Sequence, residues 1–183
     1  MKSMKNNVAL PLSFFICSSF FLLNNAAPEN KIVTEVCQKV REKNLCLSSL
    51  SAEHAGQDAK DIAAVGLIAI NVASNNGSAI SVFIKNTLVD REHLGPSVEQ
   101  NFEDCAENFD DAMQELDDAL ELITSKDFKN LKTEMGAAID DADACAMLLN
   151  QSGGKDLELF NKANIFRQLC SIAYDIANIV APN

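Results

Sequence analysis

Four cysteines carry the chemistry that depends most on spacing: Cys37 and Cys46 lie nine residues apart, and Cys105 and Cys145 lie forty apart in one acidic stretch. They are either four unrelated thiols or two disulfides. The start of the chain bears on the choice. Lys2 and Lys5 precede an apolar run from Val8 to Leu23 that is short for a membrane span and holds Pro11. This is the pattern of a secretory leader rather than an uncleaved anchor. Asn24 and Asn25 stand where a small residue is usual, which places cleavage after Ala26 or Ala27, and Cys17 leaves with the leader. An exported chain folds where disulfides form and persist, so the expectation is two bridges, each joining sequence neighbours. Cys170 is left over beside Leu169 near an apolar stripe and is expected to be an inert buried thiol.

The second chemical feature is a row of acids: Glu99, Glu103, Glu107, Asp110, the uncharged Gln114, Asp118 and then Glu121 recur at helical steps, with no Lys or Arg between Arg91 and Lys126. A helix dipole favours acids only in the first turn, so it does not account for six turns of them. Either the row is a solubilising face, or it is a docking surface for a cationic partner, since concentrated like charge costs stability. Without residues 1–26 the chain keeps thirteen basic against twenty-six acidic residues, a formal net charge of −13. Nucleic acid and anionic membrane are poor partners for such a field, and a basic protein is a natural one.

The inventory for catalysis is small. Only His54 and His93 are available, neither in a Glu-x-x-His pair, and no His-Glu-x-x-His, Gly-x-Ser-x-Gly or phosphate-cradling glycine loop occurs. Adjacent carboxylates such as Asp140-Asp141 have nothing in the sequence that isolates them from solvent or separates their pKa values. The reading is a non-enzyme with no cofactor and no metal.

These residues need long helices to position them. After Gly95-Pro96-Ser97, apolar residues at Val98, Phe102, Cys105, Phe109, Ala112, Leu116, Leu120 and Ile123 define one stripe, with Ser97 as the expected N-cap and Gln100 as its partner in a partial capping box. Past a short turn at Thr124–Asp127 a second stripe runs through Phe128, Leu131, Met135, Ile139, Ala142, Cys145, Ala146 and Leu149. A short connection makes the two helices antiparallel neighbours. Cys105 and Cys145 are each twenty residues from Ser125. At about 1.5 Å per residue both lie roughly 30 Å from the turn, level with each other on facing stripes.

Along one straight helix Cys37 and Cys46 would be roughly 13 Å apart on opposite sides, so their pairing requires a reversal near Glu42-Lys43-Asn44 and a small hairpin over residues 31–51. Ile62 to Leu88 reads as one helix, bent at Asn75-Asn76-Gly77-Ser78. A fourth stripe holds Leu157, Phe160, Ala163, Phe166, Leu169, Ala173, Ile176 and Val180, after a loop at Gln151–Gly154. No second apolar segment of membrane length is read after the leader. The sequence therefore predicts an all-α fold: an antiparallel up-and-down four-helix bundle over residues 58–183 with an N-terminal helical hairpin and two disulfides, in one domain at 27–183 behind a signal peptide at 1–26. Two sequons, Asn76-Gly77-Ser78 and Asn150-Gln151-Ser152, are candidate glycosylation sites.

At these residues the chain resembles the plant invertase and pectin methylesterase inhibitor family. The resemblance is carried by Cys37 to Cys46 with Leu47 and Leu50, by Cys105-x-x-x-Phe109-x-Asp111-Ala112 with Leu116 and Ala119, by Ser125–Phe128, by Met135–Asp141 before Cys145, and by Leu169-x-x-Ile172-Ala173 with Ile176. It implies a secreted protein inhibitor of the apoplast and cell wall. It further implies disulfides joining first to second and third to fourth cysteine, with the second and third bundle helices, about Ser97–Ile123 and Lys126–Asn150, laid across the enzyme's substrate cleft.

Family members often have Tyr where Phe109 stands and, among pectin methylesterase inhibitors, Thr where Ala144 stands. Asp127-Phe128-Lys129 departs from the Pro-Lys-Phe of invertase inhibitors, which favours pectin methylesterase as the target. Asp61–Ile84 is similar to the pollen allergen branch named for invertase, so acid invertase stays as the alternative. A helical bundle without an enzyme target, a ligand carrier or structural protein, is the second alternative. The implied complex is one-to-one, with the inhibitor otherwise monomeric.

Overall fold

The computed structural model describes residues 30–151 and 157–181. The leader, its cleavage site, Cys17 and the loop at 152–154 lie outside those residues. Helices α1 (Lys31–Cys37) and α2 (Lys43–Ala52) form the hairpin, and α3 (His54–Gln57) is a single turn. The bundle is α4 (Ile62–Val89), α5 (Pro96–Ser125), α6 (Phe128–Gln151) and α7 (Leu157–Val180), with a 3-10 turn at Arg91–His93 between α4 and α5. No strand occurs among the described residues. Helix α5 packs on α4 and α6, and α7 on α6 and α4, so the four helices close a ring around one core.

The starts of α1, α4 and α5 have local causes. Asn30 caps α1 by accepting from the Ile32 N–H at 2.8 Å, and its Nδ2 donates to the carbonyls of Gln57 and Ala59, tying the hairpin's entry to the loop before α4. Asp61 caps α4 through the Ala64 N–H at 2.8 Å. Helix α5 begins one residue before the expected cap: Gly95 is the N-cap, Pro96 fills the first turn, and the Gly95 carbonyl accepts from Val98 and Glu99. Proline supplies a preset φ and lacks an N–H that would need a partner, so Ser97 is not required as a cap. Gln100 donates to Asp104 at 2.8 Å instead of closing a capping box.

The reversal between α5 and α6 is tighter than the sequence implies. The Thr124 and Ser125 hydroxyls donate back to the Leu120 and Leu122 carbonyls, which keeps both residues in the helix. Lys126 then adopts left-handed backbone (φ 63°), and the Asp127 N–H reaches the Leu122 carbonyl at 2.9 Å. Asp127 also opens α6 by accepting from the Asn130 N–H.

Helix α4 is continuous through Gly77. A Cβ at Gly77 would come within 2.6 Å of Met113 Sδ and 2.8 Å of Phe166 Cε2, so this glycine lets α5 and α7 approach rather than marking a break. Phe166 also packs on Phe109 with ring centroids 5.0 Å apart, so α4, α5 and α7 meet around one point. Several stripe positions differ from expectation, among them Ala119 rather than Leu120 in α5. Leu159 rather than Phe160 is fully buried at the start of α7, and Ala138 rather than Ile139 takes the core position in α6.

Helix α4 also amends the expectation about membrane segments. It carries no charged residue from Ile62 to Ile84, and by length and composition it could cross a bilayer. Nine of its residues are buried in the bundle, Val65, Ile70, Ala73 and Ile84 almost completely, so its apolar character belongs to a core helix that neighbours cover on two sides.

Both bridges form as expected. Cys37 and Cys46 join with Cα atoms 5.5 Å apart, and Cys105 joins Cys145 at 4.8 Å, all four fully buried. The hairpin reverses over residues 38–42 and buries Val33, Val36, Val40 and Leu50. Arg41 fastens it to α7: its backbone N–H and guanidinium both donate to the Asp175 carboxylate, at 2.9 and about 3.1 Å.

Candidate functional site

Helices α5 and α6 form the face that holds most of the chain's unusual chemistry. The core stripe of α5 is Phe102, Cys105, Phe109, Ala112, Leu116, Ala119 and Ile123. On the opposite side of the same helix, Glu107, Asp110, Gln114, Asp118 and Glu121 are exposed, while Glu99 and Glu103 are half-buried near its start. The row is thus a solvent-facing ridge along most of a 30-residue helix. Its length follows from the period of the apolar stripe: once one face is committed to the core, residues at steps of three and four on the other face must point outward.

Beside this ridge a shallow cleft of about 460 Å³ opens where α5 and α6 converge on their turn, lined by Asp118, Glu121 and Leu122 from α5 and by Ser125, Asn130 and Glu134. Further along the same seam lies a feature the sequence did not expose. Glu115 of α5 and Asp141 of α6 meet across the helix boundary, each with one carboxylate oxygen buried and without a hydrogen-bond partner of its own (Oε2 and Oδ2). Burial raises the Glu115 carboxyl to about 7, and the charge of Asp141, its hydrogen bond to Asp141, Glu134 and Asp111 push the same way. Asp141 is raised as well, by burial first and by the charges of Asp111 and Asp140, against the lowering effect of its hydrogen bond with Glu115. Both carboxyls are thus held above their ordinary range, with burial the first cause for each.

Asp141 therefore corrects the expectation that nothing isolates the Asp140-Asp141 pair from solvent. The partner is Glu115 on the facing helix and not its sequence neighbour Asp140, which is exposed. The sequence held one hint: Glu115 falls at the edge of the α5 stripe, between Ala112 and Ala119 on the side that faces α6, and small neighbours leave room for a tucked side chain.

The remaining candidates are scattered. His54 and His93 are both exposed, in a one-turn helix and a 3-10 turn. No group of three potential metal ligands converges among the described residues. Cys170 is buried in α7, and burial pushes its thiol well above the usual range, which leaves it protonated and unreactive. Asn150 is exposed in the last turn of α6, whereas Asn76 is half-buried in the middle of α4 with its Oδ1 enclosed. The apparatus for acyl, phosphoryl or metal-assisted chemistry is not assembled anywhere in the described structure. What the α5–α6 face offers is a rigid, disulfide-clamped ridge of negative charge.

Comparison with known proteins points to one family. A model of the family described as plant invertase/pectin methylesterase inhibitor matches residues 31–176. A Platanus acerifolia protein named provisionally as an invertase inhibitor is 28% identical over 180 residues, covering 93% of this chain and 99% of that protein. A pectinesterase inhibitor of Actinidia deliciosa is 26% identical over 173 residues, covering 94% and 92%. Among solved structures, a mutant form of a pectin methylesterase inhibitor from Arabidopsis superposes with a TM-score of 0.71 at 20% identity, covering 82% of this chain and 98% of that one, a likeness of fold.

Proposed function

Because the chain belongs to the plant invertase/pectin methylesterase inhibitor family, whose members are inhibitor proteins and not catalysts, we propose that it is a secreted inhibitor of pectin methylesterase. The observation that carries this reading is the acidic ridge of α5, with Glu107, Asp110, Gln114 and Asp118 exposed and Glu99 and Glu103 half-buried at its start, held on a helix whose other face is locked into the core. Such a ridge complements a basic enzyme surface, steers its approach, and reaches it in a fixed geometry. With α6 alongside, it would lie across the substrate cleft in a one-to-one complex and exclude the polymer without chemistry of its own. Pectin methylesterification of the cell wall is the process so modulated.

Export through the leader at 1–26 puts the inhibitor in the apoplast, where its disulfides persist. Asn150 is the better placed of the two sequons for a glycan, being exposed at a helix end. Acid invertase is the second target reading, supported by the Platanus relative of similar length.

Parallel inhibition assays of the oxidised 27–183 chain against purified pectin methylesterase and acid invertase discriminate the two. Inhibition of the first alone is the expected result, and inhibition of invertase alone reverses the assignment. The combined change Glu103→Lys, Glu107→Lys and Asp110→Lys should weaken inhibition on the order of tenfold or more while the helical circular dichroism stays unchanged. Undiminished inhibition by that variant would remove the acidic ridge from the interface.

A further inference from the structure

In the seam between α5 and α6 two acids from different helices are pressed together, and the acidic ridge does not explain it. Glu115 and Asp141 each present an enclosed carboxylate oxygen with no donor of its own. The charges acting on the pair are all negative: Asp111 from α5, and Glu134 and Asp140 from α6. From α7 the group in electrostatic reach is the Cys170 thiol, which is buried and uncharged, while Arg167 of the same helix is engaged by Asp143. Helix α4 brings no charge, since none lies between Asp61 and Lys85. Two ionised carboxylates cannot remain in that arrangement without mutual repulsion, because each oxygen can only accept.

We propose that Glu115 and Asp141 share one proton and so form an acid-dependent latch between α5 and α6, closed while Glu115 donates to Asp141 and loosened when that proton is lost to solvent. The latch acts on the two helices that bear the candidate docking face, but it is a property of the bundle alone and holds whichever enzyme is the target. Glu115 is raised in the folded chain above its ordinary range. Between the ordinary glutamate range and about 7 the folded state therefore keeps a proton that the unfolded state has released. Stability accordingly falls as pH rises through that window and levels off above it.

Thermal unfolding of the oxidised 27–183 chain at about pH 5 and about pH 8 tests this, comparing wild type with Glu115→Gln, whose amide donates to Asp141 at every pH. The wild-type Tm should fall across the interval by about 3 °C or more beyond the fall of Glu115→Gln. Asp117→Asn, which removes an exposed carboxylate from the same helix, should keep the wild-type slope and so control for net charge. Equal slopes for wild type and Glu115→Gln overturn the latch. If Glu115→Gln does not fold, carboxyl NMR titration of the wild type decides instead. A midpoint near 7 on one of the two acids supports the shared proton, and ordinary midpoints on both reject it.

Discussion

At Gly77 and Gly136 the same residue type has opposite meanings, and the difference lies wholly in what surrounds it. A methyl at Gly77 meets Met113 and the fully buried ring of Phe166 at under 3 Å, whereas a methyl at Gly136 meets nothing within 4 Å. Both positions are helical, so Ala would gain up to about 1 kcal/mol in helix propensity at either. Gly136→Ala should realise that gain and raise the Tm. At Gly77 the overpacking cost of about 1–3 kcal/mol outweighs it, because Phe166 is also held by Phe109 and cannot give way freely. Gly77→Ala should therefore unfold at a lower temperature than wild type, and calorimetry of the two variants checks the pair of signs.

The helices depend on their bridges to different degrees. The Cys105–Cys145 bond closes a loop of forty residues between two long helices that already bury a continuous stripe against each other. On the chain-entropy model it contributes about 4 kcal/mol, against about 2.5 kcal/mol for the nine-residue Cys37–Cys46 loop. Consequence does not follow that order everywhere. A seven-residue α1 and a ten-residue α2 are too short to persist alone. Replacing Cys37 and Cys46 by Ser should release the hairpin locally, seen as fast amide exchange over residues 31–52 with the bundle still protected. Replacing Cys105 and Cys145 should lower the global denaturation midpoint while leaving the helical content largely intact at low temperature.

As a whole, the molecule is a strongly acidic body whose charge is unevenly placed. Helix α4 is uncharged over most of its length and α5 carries acids from Glu99 to Glu121 without a single base, so the negative field is concentrated on one side of the ring. If recognition runs through that side, association with a basic enzyme should be fast at low salt and slow steeply as ionic strength rises, with a smaller change in the dissociation rate. Stopped-flow or surface-binding kinetics across a salt series would show it, and an association rate indifferent to salt would contradict the role given to the ridge.

Much of this was already legible in the linear chain. Apolar residues at steps of three and four fix which face of each helix is buried, and a connection of a few residues fixes that α5 and α6 run antiparallel, so the level placement of Cys105 and Cys145 follows from counting alone. The outward position of Glu107, Asp110, Gln114 and Asp118 is the complement of the same periodicity. Other features were closed to that logic. The cap at Gly95 instead of Ser97, and Leu159 in the core instead of Phe160, depend on how helix ends are finished, where the periodic pattern has too few turns to set the phase. Above all, Glu115 and Asp141 are twenty-six residues apart with nothing in either segment to name the other. Periodicity within a helix specifies directions about its own axis, whereas the meeting of two side chains across a seam depends on the axial shift and rotation between helices, and those are set by packing of the assembled bundle.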